Sequence, residues 1–169
     1  MTAERVATVD RAAAVDVVSP RALVVCVGNP LVGDDAVGCA VHEALASRPP
    51  APGVQLEFVA VGGLRLLDLL DAQPLLVVVD AVELGAPAGT VHVLPWEALP
   101  PPVTATTSHG VGLRETMEVG AALQPERMPG RAYLVGVEGR SFDALGAPMS
   151  PEVAAAVQGA AEEVARLLR

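Results

Sequence analysis

Short apolar runs alternate along the chain with longer segments whose apolar residues recur at helical spacing. Residues 23–27 and 75–79 are continuously apolar, which is typical of strands buried on both faces of a parallel sheet. Weaker strand patterns occupy residues 54–61, 90–94 and 131–137. Because strands and helices alternate, the sequence predicts an α/β fold. This would be a three-layer sandwich with a twisted, mostly parallel sheet of about five strands and helices on both faces.

Four segments have apolar residues spaced as on one face of a helix. They span residues 34–46, 64–72, 110–123 and 151–169. In the third helix we expect an inward face made by Leu113, Met117 and residues 119–121. Ser150 and Pro151 suit the N-cap and first position of the last helix, which is therefore predicted to begin there.

Length and charge limit the possible partners. The 169 residues are enough for one domain with a single core, and we expect residues 1–20 to form a loose leader before a domain at residues 21–169. No apolar run approaches the length of a membrane span. The net charge is −9 and lysine is absent, so the sequence offers no basic stripe for nucleic acid. We therefore expect neither a membrane nor a nucleic acid as partner.

Two features favour a cytoplasmic location. Glu4, Asp10 and Asp16 interrupt the segment that an export signal would need. Cys26 and Cys39 lie in a predicted strand and a predicted helix, where we expect them to be small buried hydrophobic residues. Such sparse cysteine suits a reducing compartment, and neither cysteine is placed as an exposed nucleophile.

The turn after the first strand has glycines five residues apart, Gly28 and Gly33. A phosphate-binding loop with this spacing continues with Lys and then Ser or Thr, whereas here Asp34 and Asp35 follow. Two acids at a helix start repel the anion that such a start otherwise attracts. The loop therefore suits a cation better than a phosphate.

Acids follow both apolar strands, Asp34 and Asp35 after one and Asp80 after the other, and His109 precedes a predicted helix. Parallel strands bring their carboxyl ends to one sheet edge, where a carboxylate must be solvated, paired or metal-bound. Two carboxylates and one imidazole suit nickel, zinc, manganese or iron. Each residue also has a simpler explanation. Either neighbouring acid can cap the first helix, Asp80 can cap a turn, and Ser108 can cap the helix after His109.

The other histidines fit such a site less well. His42 lies about two helical turns beyond Asp35, roughly 10 Å by helical rise, which is too far to share one ion. His92 alternates with valines in a strand, so we expect it to face outward. The zinc-protease pattern that His42 and Glu43 begin fails at Ala46.

The segment GNPLVGDDAVG resembles the signature loop of the hydrogenase maturation endopeptidases. That family has a GNxLxxDD/E-G stretch, a DA pair after an apolar strand, and an SxH that begins a later helix. The matching residues here are Gly28, Asn29, Pro30, Leu31, Asp34, Asp35, Gly38, Asp80, Ala81, Ser108, His109 and Leu113. The ending VGVEGRSFDALGAPMSPEV is similar to the family's VGxEPxxF…LSPxV, so the resemblance covers about residues 22–168.

The resemblance implies an endopeptidase that removes a C-terminal extension from the nickel-loaded precursor of a nickel–iron hydrogenase large subunit. By the match, Asp35, Asp80 and His109 are the metal ligands and the catalytic residues. The supporting residues are then Gly28, Asn29, Asp34, Gly38 and Ser108, with Asp34 as the expected helix cap. Nickel is expected to arrive with the substrate, so the isolated protein should bind divalent metals only weakly.

The chain departs from the family at Val61, Leu66 and Gly139, where Asp, Gly and Pro respectively are common. The departures at Val61 and Leu66 could alter substrate docking near the double glycine that lies between them. Two other functions stay open. One is a non-catalytic chaperone that checks nickel loading through the same three residues, and the other is a self-sufficient metal-dependent hydrolase.

Overall fold

The computed structural model describes residues 20–48, 50–60, 64–99, 112–143 and 145–169. Within these ranges the chain forms five strands and four α-helices. The strands are β1 Ala22–Val27, β2 Val54–Val59, β3 Leu75–Val82, β4 Val91–Pro95 and β5 Arg131–Glu138. The helices are α1 Val37–Ala46, α2 Arg65–Leu69, α3 Leu113–Leu123 and α4 Pro151–Leu167. The predicted leader, apart from Pro20, lies outside the described residues and stays a prediction.

The strands form one sheet in the order β2-β1-β3-β5-β4. All neighbours pair in parallel except β4, which is antiparallel to β5. Every residue of β1 and β3 is buried, because both strands lie inside the sheet and both of its faces are covered. The continuous apolar runs therefore predicted the interior parallel strands correctly.

Two hydrophobic clusters separate the sheet from its helices. On one face, Val24 and Val77 pack with α1 and α4 residues such as Val41 and Val153. The other face buries Val25 and Val78 beneath α2 and α3. The predicted three-layer α/β sandwich is thus confirmed. In the described part of the chain, no helix combines the length and apolarity that crossing a membrane requires.

Some predicted boundaries were wrong. The strand predicted to end at residue 79 continues to Val82, so Asp80 lies within β3, because β5 extends alongside and pairs Gly136 with Asp80. The helix predicted at residues 64–72 is limited to α2, since the backbone is already extended at Leu70.

The inward face of α3 also differs from the prediction. Leu113 and Met117 are buried as expected. Gly120, one of the residues expected there, is buried as well, and Thr116 completes the face, because positions three and four apart share one side of a helix. Val119 and Ala121, which were also expected on this face, are exposed.

Candidate active site

The loop after β1 folds back tightly on the end of that strand. A Cβ on Gly38 would lie 1.8 Å from the carbonyl oxygen of Val27, and a Cβ on Gly28 would lie 2.2 Å from the carbonyl oxygen of Asp35. Gly28 also has φ of +156°. Both glycines are therefore needed to bring the start of α1 against β1, and this contact fixes the position of Asp35.

Asn29 connects the loop to Asp35. Its backbone N–H donates to Oδ2 of Asp35 at 3.0 Å and to the carbonyl oxygen of the same residue at 3.2 Å. The Asn29 side chain closes the turn, because its Oδ1 accepts the N–H of Leu31 at 3.0 Å. The carboxylate of Asp35 is thereby oriented by the backbone, and the residue is only 2% exposed.

Asp80 occupies the carboxyl-terminal part of β3 and is 1% exposed. Side chains alternate between the faces of a strand, and both Val78 and Val82 belong to the cluster under α2 and α3. The Asp80 side chain therefore points toward that face, and its Oδ1 accepts the N–H of Ala81 at 2.9 Å.

The acids Asp35 and Asp80 lie at the same edge of the sheet. Residues 33–36, which contain Asp35, form a 3-10 turn that contacts β3. Ser108 and His109 lie outside the described residues, so their predicted roles stay predictions. Among the residues that the structure describes, no three His, Cys, Asp or Glu side chains are grouped as a metal site.

Asp34 has a different role from the predicted one. It makes no side-chain cap for the turn or for α1. Its Oδ2 accepts the backbone N–H groups of Arg140 at 2.9 Å and Ser141 at 3.2 Å, and its Oδ1 accepts that of Ser150 at 2.7 Å. The expectation of a helix cap was wrong, because these three N–H groups come from the loop before α4.

The surroundings of Asp34 favour its charged form. Burial alone raises the pKa of this carboxyl, but hydrogen bonds from the backbone of Arg140, Ser150 and Ser141 outweigh burial and lower the pKa below its usual value. The residue is fully buried. Asp34 is therefore an anionic clamp that holds the backbone at Arg140, Ser141 and Ser150 against the loop after β1.

Glu138 is a buried acid that the sequence analysis did not single out as a candidate. Its Oε1 accepts the backbone N–H groups of Leu84, Gly85 and Ala86 at 2.9, 2.7 and 3.1 Å, and its Oε2 lies 3.0 Å from Nε2 of His92. The sequence pattern could have identified this residue, because Glu138 directly follows an apolar run, as Asp80 does. Glu138 holds the connection between β3 and β4, and the prediction that His92 faces outward was wrong.

Comparison with known proteins identifies the family. The family model described as hydrogenase maturation protease matches residues 39–167. The chain is 30% identical over 146 residues to the hydrogenase expression/formation protein HoxM of Cupriavidus necator, with 85% of this chain and 71% of that protein covered. This chain belongs to the hydrogenase maturation protease family. The predicted family and the predicted enzyme class are both confirmed.

Solved structures share the fold of this protease. The hydrogenase maturating endopeptidase HybD from Escherichia coli superimposes with a TM-score of 0.72 at 26% identity, covering 88% of this chain and 92% of that one. The [NiFe] hydrogenase maturation protease HybD from Thermococcus kodakarensis gives a TM-score of 0.69 at 25% identity, with 88% and 99% covered.

The structure shows what the chain's own residues do at two of the positions where it departs from the family motif. Leu66 is buried with the residues that pack under α2 and α3, so a side chain fills this position in the core. Gly139 donates its N–H to the carbonyl oxygen of Val82 at 2.9 Å, a bond that Pro could not make. Val61 lies outside the described residues.

The cysteines do not supply a nucleophile. Cys26 is buried as predicted, and its burial together with the nearby Cys39 raises the pKa of the Cys26 thiol to about 12. Cys39 is half-buried rather than buried, because it lies on the side of α1 where its Sγ is 3.9 Å from the Glu43 carboxylate. Burial and the charge of Glu43 raise the pKa of this thiol as well, so both cysteines stay protonated.

His42, which the sequence analysis excluded as a metal ligand, packs its ring against Phe58. The ring centroids are 5.8 Å apart and the rings are inclined by 47°. This contact joins α1 to the edge strand β2, so His42 has a packing role there.

Proposed function

We propose that this protease removes a C-terminal extension from the nickel-loaded precursor of a nickel–iron hydrogenase large subunit. In this proposal Asp35, Asp80 and His109 recognise the nickel that the precursor carries. The observation that supports it most is the presence of two buried carboxylates, Asp35 and Asp80, at one edge of the sheet.

The other two buried acids near this edge have structural tasks. Asp34 and Glu138 each accept three backbone N–H groups from neighbouring loops. Both carboxylates bind backbone groups of this same chain, and removing either one would leave several N–H groups without an acceptor. Asp34 and Glu138 thus act within the fold, and the proposal assigns contact with the substrate to Asp35 and Asp80, the acids that match the family motif.

The sequence position of His109 is compatible with this site. It precedes the first residue of α3, Leu113, by four positions, and four residues span at most about 14 Å. Leu113 packs in the same cluster as Val78 and Val82, the two residues that flank Asp80 on its face of the sheet. Carboxylate oxygens with an imidazole nitrogen form a donor set that nickel accepts.

Hydrolysis requires a water oxygen to bond to the scissile carbonyl carbon while the carbon–nitrogen bond breaks and the departing amine gains a proton. A carboxylate at the site can take the proton from the attacking water and pass it to the amine. Binding a metal-loaded precursor would complete the site, so that binding energy contributes to specificity. With only these three ligands, we expect the isolated protease to hold divalent metals weakly.

The test compares single-residue variants on one substrate, the nickel-loaded precursor. Asp35→Asn, Asp80→Asn and His109→Ala should each abolish shortening of the precursor while the variants stay folded. Asp68→Asn is the matched control, since this acid is exposed on α2 and should process normally. Normal processing by the Asp35→Asn and Asp80→Asn variants would refute the assignment of the site.

We further place this activity in the cytoplasm. The only two cysteines of the chain are both free, which suits a reducing compartment. Fractionation of the native cells with an antibody against the chain would test this location, and recovery outside the cytoplasm would contradict it.

A further inference from the structure

Two exposed leucines lie on adjoining segments near the proposed site. Leu31 is 63% exposed and Leu145 is 77% exposed. Val32 pairs with Leu145 in an isolated antiparallel bridge, and the N–H of Gly146 donates to the carbonyl oxygen of Leu31 at 2.7 Å. These bonds bring the leucines onto neighbouring backbone, and together we call them the leucine patch.

The segments that carry the leucine patch are fixed to each other. Asp34 binds the backbone of Arg140 and Ser141, and the N–H of Asp34 donates to the carbonyl oxygen of Ser141 at 2.8 Å. A Cβ on Gly33 would lie 2.5 Å from that same oxygen, so the segments are in close contact. The patch is therefore held in place before any partner arrives, which lowers the entropy cost of binding.

The position of the patch relates it to the site. Leu31 precedes Asp35 by four residues in the same loop, and Asn29 binds both the Leu31 backbone and the Asp35 carboxylate. Four residues span at most about 14 Å, so a substrate that presents its cleavage region to Asp35 passes close to Leu31. Exposed leucines on such a rim are suited to an apolar segment of the substrate.

We propose that the leucine patch is a docking surface for an apolar segment of the hydrogenase large-subunit precursor, next to the bond that is cut. This inference rests on the proposed function for the identity of the partner. Docking at the patch involves side chains that do not contact nickel, so it should operate whether or not the precursor carries the metal.

The test measures two quantities with purified precursor and full-length protease. The first is the Kd for the nickel-free precursor, and the second is the pair of kcat and KM for the nickel-loaded precursor. The variants are Leu31→Ser and Leu145→Ser. Leu123→Ser is the matched control, because Leu123 is 74% exposed at the end of α3, which leads toward the start of β5 and away from the proposed site.

Loss of apolar contact predicts a roughly tenfold increase in Kd and in KM for each patch variant, with kcat unchanged. Leu123→Ser should leave the Kd for the nickel-free precursor within about twofold of the wild type, since it does not remove the apolar contact at the leucine patch. Unchanged Kd and KM in both patch variants would overturn the docking proposal, and so would an equal loss in Leu123→Ser.

The two proposals fail in different ways. If wild-type protease binds the precursor through the leucines but never shortens it when nickel is loaded, the proposed processing function is wrong and the docking surface stands. If the protease does not bind the nickel-free precursor, the KM for the nickel-loaded precursor tests the docking proposal instead. A KM that is the same in the wild type and in both patch variants would then refute docking at the leucine patch.

Discussion

The carboxylate of Asp34 accepts the backbone N–H of Ser150 at 2.7 Å, across 116 positions of the sequence. Ser150 is the N-cap residue of α4, so this bond fixes the start of the last helix to the loop after the first strand. The neighbouring carboxylate, Asp35, is oriented by Asn29 instead. Adjacent acids in the signature loop thus have separate tasks, one in folding and one proposed for chemistry.

Replacing Asp34 by Asn should destabilise the protein. Asn keeps one acceptor oxygen, but its NH₂ group must then face a backbone N–H that Asp34 now accepts, and a buried donor without an acceptor costs about 1–3 kcal/mol. Urea unfolding measures the loss. Asp68→Asn, at an exposed position, should change the free energy of unfolding by no more than about 0.5 kcal/mol. A similar small change for Asp34→Asn would contradict the role of the clamp.

Asp34 should also make stability dependent on acid. Its pKa is lowered in the folded protein, whereas an unfolded Asp titrates near about 3.9. The stabilisation is therefore fully present above about pH 4 and is lost as pH falls through the lower folded pKa. Thermal unfolding between pH 2 and pH 7 should show a steeper loss of Tm at low pH in the wild type than in Asp34→Asn. Parallel curves for the two proteins would show that this carboxyl does not contribute.

Gly38→Ala should prevent correct folding of the loop after β1. The added Cβ would lie 1.8 Å from a backbone oxygen of Val27, and a backbone clash cannot be relieved by rotating a side chain. Gly159→Ala is the matched control in α4, where nothing lies within 4 Å of the new Cβ. That change should stabilise the protein by about 0.5–1 kcal/mol, because Ala favours the helix interior. Circular dichroism during thermal unfolding compares the two variants, and a Gly38→Ala protein as stable as wild type would refute the close contact.

Glu138→Ala should loosen the connection between β3 and β4. It removes the acceptor for the N–H groups of Leu84, Gly85 and Ala86, so amide hydrogen exchange at these residues should accelerate by about tenfold or more. Glu138→Gln should retain part of the protection, because its amide oxygen can accept the same bonds. Glu152→Gln, which removes only an exposed ion pair with Arg140, should leave these rates unchanged. Unaltered exchange in Glu138→Ala would contradict this function.

The sequence was sufficient to predict the layers and the edge at which the acids gather. Continuous apolar runs indicated that β1 and β3 are buried on both faces, and parallel pairing then placed the ends of both strands together. Local pattern was enough here, because burial on both faces leaves little room for polar side chains.

The tasks of the individual acids could not be predicted from local pattern. Asp34 looked like a helix cap because Asp at a helix start usually caps, yet its partners are more than a hundred residues away. His92 alternated with apolar neighbours, but Glu138 on the adjacent strand binds it. Such roles depend on which distant backbone N–H groups the fold brings near, and residue spacing alone does not contain that information.

The dependence of cleavage on nickel in the precursor tests the proposed function most directly. Wild-type protease is stripped of metal by chelation and dialysis, and its residual metal content is measured. It is then incubated with nickel-loaded and nickel-free precursor, and mass spectrometry follows loss of the C-terminal extension. The proposed function predicts that the stripped protease shortens only the nickel-loaded precursor. Equal shortening of the nickel-free precursor, or activity that depends on a metal ion tightly retained by the protease itself, would contradict it.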